Sequence, residues 1–251
     1  MSIIKNELTM IADSFYIPKE NPAKPDGEDA HFFCRKAQVI GVADGVGGWA
    51  KKGIDAGEYA RELMRNAADV VKDSRPADVD PKSVLVDAFA KTEAPGSSTA
   101  CIISLAGNRL RAANVGDSGF AVIRGGRTVY RSPVQHYKFN APYQLGPTSG
   151  SPKKAEEIAV EMESGDIVVA ATDGLFDNVF PKEVEAVVGR FPDAMMPPGR
   201  VARDLAEAAR VKSLHIYDAT PFELASYQAG FVRLGGKKDD ITVVVAYVYT
   251  L

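Results

Sequence analysis

The sequence predicts an α+β fold built on antiparallel sheets, in a single domain that covers residues 1–251. Short runs rich in β-branched residues dominate the chain, and several are joined by connections of hairpin length. The few helical segments each carry one apolar face, which is typical of helices that cover the outside of a sheet. Strand runs interrupted by helix pairs favour this class over a doubly wound parallel sheet.

The first predicted strand is an apolar run at residues 37–43. Four further runs follow at 98–105, 109–115, 119–124 and 128–131. Because tight turns join these four, we predict that they form one antiparallel meander. The last strand, at 241–249, is nearly all β-branched and aromatic, so we expect it in the middle of a sheet. Other strands are expected at 158–162 and 166–171.

Five helices are predicted from apolar spacing and from their start signals. Asp55 is the expected N-cap of the first helix, which runs to about Lys72. Asp80 and Pro81 have the residue types that begin a helix, and they start the second. The remaining helices are expected at 199–212, after Pro181, and at 222–229.

Composition excludes several classes of protein. Thirty Lys and Arg against 33 Asp and Glu give a net charge of −3, which argues against bulk electrostatic binding to nucleic acid. No run approaches about 18 apolar residues, so no membrane-spanning helix is expected. Two cysteines cannot form a disulfide framework, and the start of the chain lacks a signal-peptide pattern. We therefore expect an intracellular protein, with cytoplasm, chloroplast and mitochondrion left open, as is the oligomeric state.

Acidic residues recur at the ends of predicted strands, often beside a glycine. A single Asp-Gly pair is an ordinary turn, but several acidic strand ends together can converge at one edge of a sheet. Such carboxylates would repel one another strongly, and a divalent cation is the simplest way to keep them ionised. Oxygen ligands select hard ions such as Mg²⁺, Mn²⁺ or Ca²⁺. The residues concerned are Glu28, Asp29, Asp44, Asp117, Asp173, Asp239 and Asp240.

Two of these positions have unusual neighbours. Asp44 is followed by three glycines within four residues, which suits close backbone approach to an ion or a phosphate. Asp173 and Asp177 are four residues apart, so both carboxylates point the same way if this turn is helical.

Six short blocks of the sequence carry the acidic residues and the small residues around them. The blocks are Glu28–Ala30, Val42–Trp49, Gly96–Ala100, Asn114–Ser118, Thr172–Asp177 and Asp239–Val243. In this order they resemble the metal-dependent protein serine/threonine phosphatases of the protein phosphatase 2C type. The Asp-Gly-Val-Gly-Gly-Trp block resembles the organelle-type and plant branch of that family.

The resemblance implies a sandwich of two antiparallel sheets flanked by pairs of helices. It also implies two ions, Mn²⁺ or Mg²⁺, at one end of the sandwich. By similarity, Asp44 bridges both ions, the carbonyl of Gly45 binds one, and Asp173 and Asp239 bind the other. A water that bridges the ions would attack the phosphorus of phosphoserine or phosphothreonine in protein substrates.

Further roles follow from the same resemblance. Glu28 would act through metal-bound water, with Asp29 supporting it from behind. Asp117, with Asp173, matches a weaker third metal site of some members, and Asp177 is a further candidate ligand there.

Two positions depart from the family pattern. Many members have Arg, which clamps the substrate phosphate, where this chain has Lys24. Lys supplies the charge without the planar fork of Arg. Many members also have His after Asp-Gly, proposed to protonate the leaving group, where this chain has Val46.

Two alternatives to a protein phosphatase stay open at the level of the sequence. The chain could be a catalytically weak, phosphatase-like module that binds metal or a partner, or it could act on a non-protein phosphoester. The Pro-, Gly- and Ser-containing segment 145–154 lies where family members carry a variable flap, so we expect a flap loop there, with a plain polar loop as the alternative.

Overall fold

A computed structural model describes residues 7–190 and 196–250, and its two main sheets are antiparallel throughout. The other residues of the predicted domain 1–251, namely 1–6, 191–195 and 251, lie outside the described residues. With strands numbered in chain order, the first sheet contains, from edge to edge, Leu8–Ile17 (β1), Ile241–Thr250 (β12), Ile167–Ala171 (β11), Gly119–Arg124 (β6) and Arg127–Arg131 (β7). The second contains Glu156–Glu161 (β10), Arg109–Val115 (β5), Ala100–Ala106 (β4), Val39–Asp44 (β3) and Asp29–Cys34 (β2). A small hairpin, His136–Lys138 (β8) with Ala141–Pro142 (β9), stands apart from both sheets.

Helices cover the outer face of each sheet. The helices are Ala56–Val71 (α1), Pro81–Lys91 (α2), Asp173–Phe176 (α3), Pro181–Val188 (α4), Pro198–Leu214 (α5) and Pro221–Gln228 (α6). Apolar residues of α1 and α2 pack on the second sheet, and those of α4 and α5 pack on the first. Asp55 caps α1 by accepting a hydrogen bond from the amide of Gly57, and Asp80 caps α2 through Ser83 in the same way.

The central core lies between the two sheets. Ile40 and Ile103 of the second sheet share this apolar cluster with Phe120 and Val244 of the first. With the helices outside, the order of layers is helix, sheet, sheet, helix, so the predicted sandwich fold is confirmed. Strand β12 has a neighbour on each side, as its sequence predicted.

The predicted meander of four strands is wrong. Strands β4 and β5 form one hairpin in the second sheet, whereas β6 and β7 form another in the first. The chain crosses the sandwich between them at residues 116–118. Gly116 has a φ of +101°, and a Cβ on it would lie 2.5 Å from the carbonyl oxygen of Tyr143, so glycine makes this tight crossing possible. A crossing this short resembles a hairpin turn in the sequence.

The segment expected to be a flap begins at a fixed point. Leu145 is fully buried, and its backbone exchanges two hydrogen bonds with Ser98, of 3.0 and 2.7 Å. A turn closed by a hydrogen bond from Gly150 to Gly146 follows, and then a short 3₁₀ helix at Pro152–Lys154.

Within residues 7–190 and 196–250, no helix is long and apolar enough to span a membrane.

Candidate metal and phosphate site

A cleft of about 370 Å³ opens at one end of the sandwich, where several strands of both sheets begin or end. It brings together acidic residues that are far apart in the sequence. Glycines and lysines share its walls with them. The acidic side chains are Glu28, Asp44, Asp173 and Asp239, and the lysines are Lys19, Lys237 and Lys238.

Asp44 is the last residue of β3 and opens onto this cleft. Its backbone exchanges hydrogen bonds with Thr99, and the next amide, that of Gly45, donates to the carbonyl of Glu28 at 3.0 Å. A Cβ on Gly45 would lie 2.6 Å from the Glu28 carbonyl oxygen and 2.7 Å from that of Ala56. Only glycine fits here, because the Asp44 turn is held between the Glu28 loop and α1.

Asp173 begins the short helix α3, directly after β11. One of its carboxylate oxygens, Oδ1, is buried without a hydrogen-bond partner, and the other, Oδ2, contacts Lys237. Asp177 follows one helical turn later, and its amide donates to the Asp173 carbonyl at 2.7 Å. Both carboxylates contact the same ammonium group, so they share one face as their spacing predicted.

The adjacent residues Asp239 and Asp240 precede β12 and point to different places. Asp239 lies in the cleft, 3.1 Å from the Lys237 ammonium. Asp240 is buried, and it accepts hydrogen bonds from the Tyr16 hydroxyl and from the amides of Lys19 and Glu28. Asp240 therefore holds the loop that carries Glu28.

Lys237 lies at the centre of the acidic cluster. Its ammonium contacts Asp173 and is 3.1 Å from each of Asp177 and Asp239. Burial lowers the pKa of Lys237, but these carboxylates outweigh burial and hold the pKa well above its usual value. Among the described residues, no three His, Cys, Asp or Glu side chains are grouped closely enough to hold a metal ion as they stand.

Two other predicted site residues, Lys24 and Asp29, lie beside Glu28. Lys24 is 2.5 Å from Glu28 and 3.6 Å from Asp55, and all three form an ion-paired group beside the cleft. Asp29 is buried behind Glu28 and accepts hydrogen bonds of 2.8 Å from the hydroxyls of Thr172 and Thr242. Thr172 directly precedes Asp173, and Thr242 lies near Asp239 at the start of β12, so Asp29 ties both segments to the Glu28 loop.

Asp117 follows β5 in the crossing between the sheets. Its Oδ2 is 2.8 Å from Nε2 of His136, while its Oδ1 is buried without a partner in the described part of the chain. Burial is the main cause that raises the pKa values of Asp173 and Asp177, and the nearby charge of Asp117 raises them further. Asp117 therefore belongs to the edge of the same acidic cluster.

The acidic cluster should make the stability of the folded protein depend on both the pH and the bound metal. Burial, together with neighbouring carboxylates, raises the pKa values of Asp29, Asp44 and Asp173 well above their usual range. A carboxyl group with a raised pKa holds its proton more tightly in the folded protein. Its contribution to stability is full below the unfolded pKa and is lost as the pH rises through the folded pKa.

We therefore expect the stabilisation given by Mn²⁺ over chelator to be larger at about pH 8 than at about pH 5, because ionised carboxylates need the cation. Thermal unfolding at both pH values, with chelator and with Mn²⁺, measures this difference. An Mn²⁺ effect that is equal at the two pH values, or larger in acid, would contradict the account.

Sequence reasoning overlooked some of the residues that shape the cleft. Lys237 is the main one, although its position two residues before Asp239 was a usable signal. Asn140 also lines the cleft, and it lies far from the acidic residues in the sequence. Only the packing of the loops brings it there. Thr99, which belongs to the block Gly96–Ala100 identified in the sequence, lines the cleft as well.

The donor set fits a hard divalent ion. Asp44, Asp173 and Asp239 offer carboxylate oxygens to one cleft, and Gly45 offers its backbone carbonyl beside them. The unpartnered, buried Oδ1 of Asp173 has the character of a ligand atom, because a buried oxygen normally has a partner. Oxygen donors of this kind suit Mg²⁺ and Mn²⁺.

Solved structures of similar fold are phosphatases. The photosystem II phosphatase PBCP has a TM-score of 0.88 and 33% identity, over 96% of this chain and 100% of that one. The catalytic domain of the serine/threonine phosphatase PstP, solved with two manganese ions, has a TM-score of 0.69 at 20% identity, over 96% and 99% of the two chains. The second likeness is one of fold alone.

Curated relatives carry the same family name, although no family model matches the chain. Probable protein phosphatase 2C 55 of Arabidopsis thaliana is 46% identical over 96% of this chain and 52% of its own length. The chain thus spans about half the length of that relative. Putative protein phosphatase 2C 24 of Oryza sativa subsp. japonica is 41% identical over 96% of this chain and 77% of its own length. By this likeness, and by the cleft described above, the chain belongs to the protein phosphatase 2C family.

Proposed function

We propose that this chain hydrolyses phosphoserine and phosphothreonine in protein substrates, with Mn²⁺ or Mg²⁺ bound in the cleft. One observation carries the proposal. Asp44, Asp173 and Asp239 come from three separate parts of the chain and line a single cleft beside the carbonyl of Gly45.

In this proposal Asp44 would hold both of two ions, with Gly45 completing one site and Asp173 and Asp239 the other. Divalent ions bound there supply Lewis-acid activation of water and neutralise the charge that develops on the phosphoryl oxygens. Glu28 would orient the attacking water from the wall of the cleft. Asp29 would act as a positioning residue through its two threonine partners.

The leaving group has no evident acid at the position after Gly45. Val46 lines the cleft there and has no proton to give. The leaving oxygen therefore takes its proton from water or from another cleft residue. We expect this step to limit the rate for poor leaving groups, so aryl phosphates should turn over faster than alkyl phosphates.

Lys24 is proposed as a phosphate contact, in the place where many family members use Arg. Replacing it by Gln should raise the KM for a phosphothreonine peptide about tenfold, since a hydrogen bond to a charged group contributes on the order of 1.5 kcal/mol. The kcat should change less. Steady-state kinetics separates the two effects, and Lys24→Arg serves as the charge-retaining control. An unchanged KM in Lys24→Gln would remove Lys24 from the substrate site.

The flap expected at residues 145–154 would shape substrate choice from its fixed start at Leu145. Exchanging residues 147–150 for a plain Gly-Ser linker should alter preference among peptides while leaving hydrolysis of a small aryl phosphate unchanged. Loss of both activities would show that the segment supports the fold instead.

The substrate class is tested by comparing three substrates under the same conditions. With Mn²⁺ present, a phosphothreonine peptide should have a higher kcat/KM than either a phosphotyrosine peptide or a sugar phosphate. A preference for the sugar phosphate would favour a non-protein phosphoester. Absence of turnover on all three, in protein that binds Mn²⁺, would favour a binding module.

A further inference from the structure

We propose that Lys237 is a permanent cation of this site, which takes the place of a third divalent ion, so that the chain binds two metal ions and no third. The inference rests on the proposed metal-dependent function. It assigns a role to a side chain that the metal-site residues surround.

Lys237 and a metal ion could use different oxygens of the same carboxylate. The ammonium contacts Oδ2 of Asp173, whereas Oδ1 of Asp173 is buried and has no hydrogen-bond partner in the described chain. Oδ1 is therefore available to an ion while Oδ2 stays with Lys237. The ammonium need not leave when metal binds.

The ammonium also occupies the ligands of the expected third site. By resemblance, that site would use Asp117, Asp173 and Asp177. Lys237 contacts two of these, Asp173 and Asp177. The third, Asp117, is paired with His136 instead.

The position of Lys237 is built into the fold. Asn178, which is fully buried, accepts a hydrogen bond of 2.9 Å from the amide of Lys237 and donates one of 2.9 Å to its carbonyl. Asn178 also donates to the carbonyl of Gly174, next to Asp173. The backbone of Lys237 is thus locked to the same turn that carries Asp173 and Asp177. The ring of Phe222 lies 5.9 Å from the ammonium on another side.

Charge also disfavours a third divalent ion beside Lys237. The ammonium already places a positive charge on Asp173 and Asp177. A divalent ion held by the same two carboxylates would lie close to that ammonium and would be repelled by it.

The test is the number of Mn²⁺ ions bound by the whole chain, from titration calorimetry and native mass spectrometry. We expect two ions for the wild type and three for Lys237→Gln, with the third bound more weakly. Lys238→Gln is the matched control, because it makes the same change at the neighbouring cleft lysine and should leave the number at two.

Three results would overturn the proposal. Three ions in the wild type would show that Lys237 excludes none. Two ions in Lys237→Gln, bound more tightly than in the wild type, would show that the Lys237 ammonium competes with those two ions and leaves the carboxylates when they bind. If Lys237→Gln fails to fold, the number of ions bound by Asp117→Asn, which keeps Lys237, replaces that test. Loss of a bound ion in Asp117→Asn would show that Asp117 already holds one in the wild type. A wild type that binds no Mn²⁺ contradicts the proposed function itself.

Discussion

Replacing Asp44 by Asn should lower the kcat for a phosphothreonine peptide by about a thousandfold, the scale of losing one preorganised electrostatic group in an active site. Asn keeps the shape of the side chain, and the backbone bonds between Asp44 and Thr99 do not involve the carboxylate. The fold should therefore persist. What is lost is the negative charge proposed to hold both ions, so Mn²⁺ affinity should also fall, by more than about tenfold.

The matched control for this variant is Asp69→Asn on α1. Asp69 is exposed and pairs only with the exposed Lys72 in the described structure, so the same chemical change there should leave kcat and metal binding as they are. A variant of Asp44 that keeps wild-type kcat and Mn²⁺ affinity would remove this residue from the centre of the site.

Replacing Gly174 by Ala should lower the free energy of unfolding by about 2–3 kcal/mol, the upper range for forcing extra atoms into a packed site. A Cβ on Gly174 would collide with the carbonyl of Asp240 and would lie 3.1 Å from the Cα of Ile241. Both contacts are with backbone, so no side chain can move aside. Because the collision separates Asp173 from Asp239, Mn²⁺ binding should weaken as well.

The direction of the stability change in Gly174→Ala distinguishes steric collision from helix propensity. Gly174 lies in helix α3, and helix propensity alone predicts that Ala stabilises the protein by about 1 kcal/mol. Chemical denaturation of Gly174→Ala beside Gly48→Ala measures the difference. Gly48 also lines the cleft, but a Cβ on Gly48 would have its nearest heavy-atom neighbour 4.0 Å away, so that variant should unfold like the wild type. A stabilised Gly174→Ala would mean that the two turns do not touch as described.

Much of the fold was predictable because its signals are local. Each of these signals comes from residues close together in the chain. Examples are the helix caps at Asp55 and Asp80, the apolar face of α1 and the β-branched run of β12. The acidic strand ends were also visible, and the cleft brings four of them together.

What the sequence did not predict depends on contacts between distant residues. The passage from β5 to β6 has the length of a hairpin turn, and only the pairing of each strand with partners elsewhere shows that it changes sheets. Strand β1 was missed because its residues alternate poorly, and its place is set by ten pairs with β12.

Lys237 shows the same limit within the site. In the sequence it is one of two adjacent lysines before Asp239, and the sequence there does not show which of the two enters the acidic cluster. Its place among the carboxylates follows from the hydrogen bonds between its backbone and Asn178, which is 59 residues away. That long-range contact therefore brings a positive charge into the acidic cluster.

The central claim, that this cleft uses divalent ions to hydrolyse phosphoproteins, is tested most directly by the hydrolysis of a phosphothreonine peptide with Mn²⁺, with Mg²⁺ and with chelator. The account predicts turnover with at least one of the two ions and none with chelator, with activity restored when the ion is returned. Equal turnover in chelator, or no turnover in folded protein that binds Mn²⁺, would contradict it.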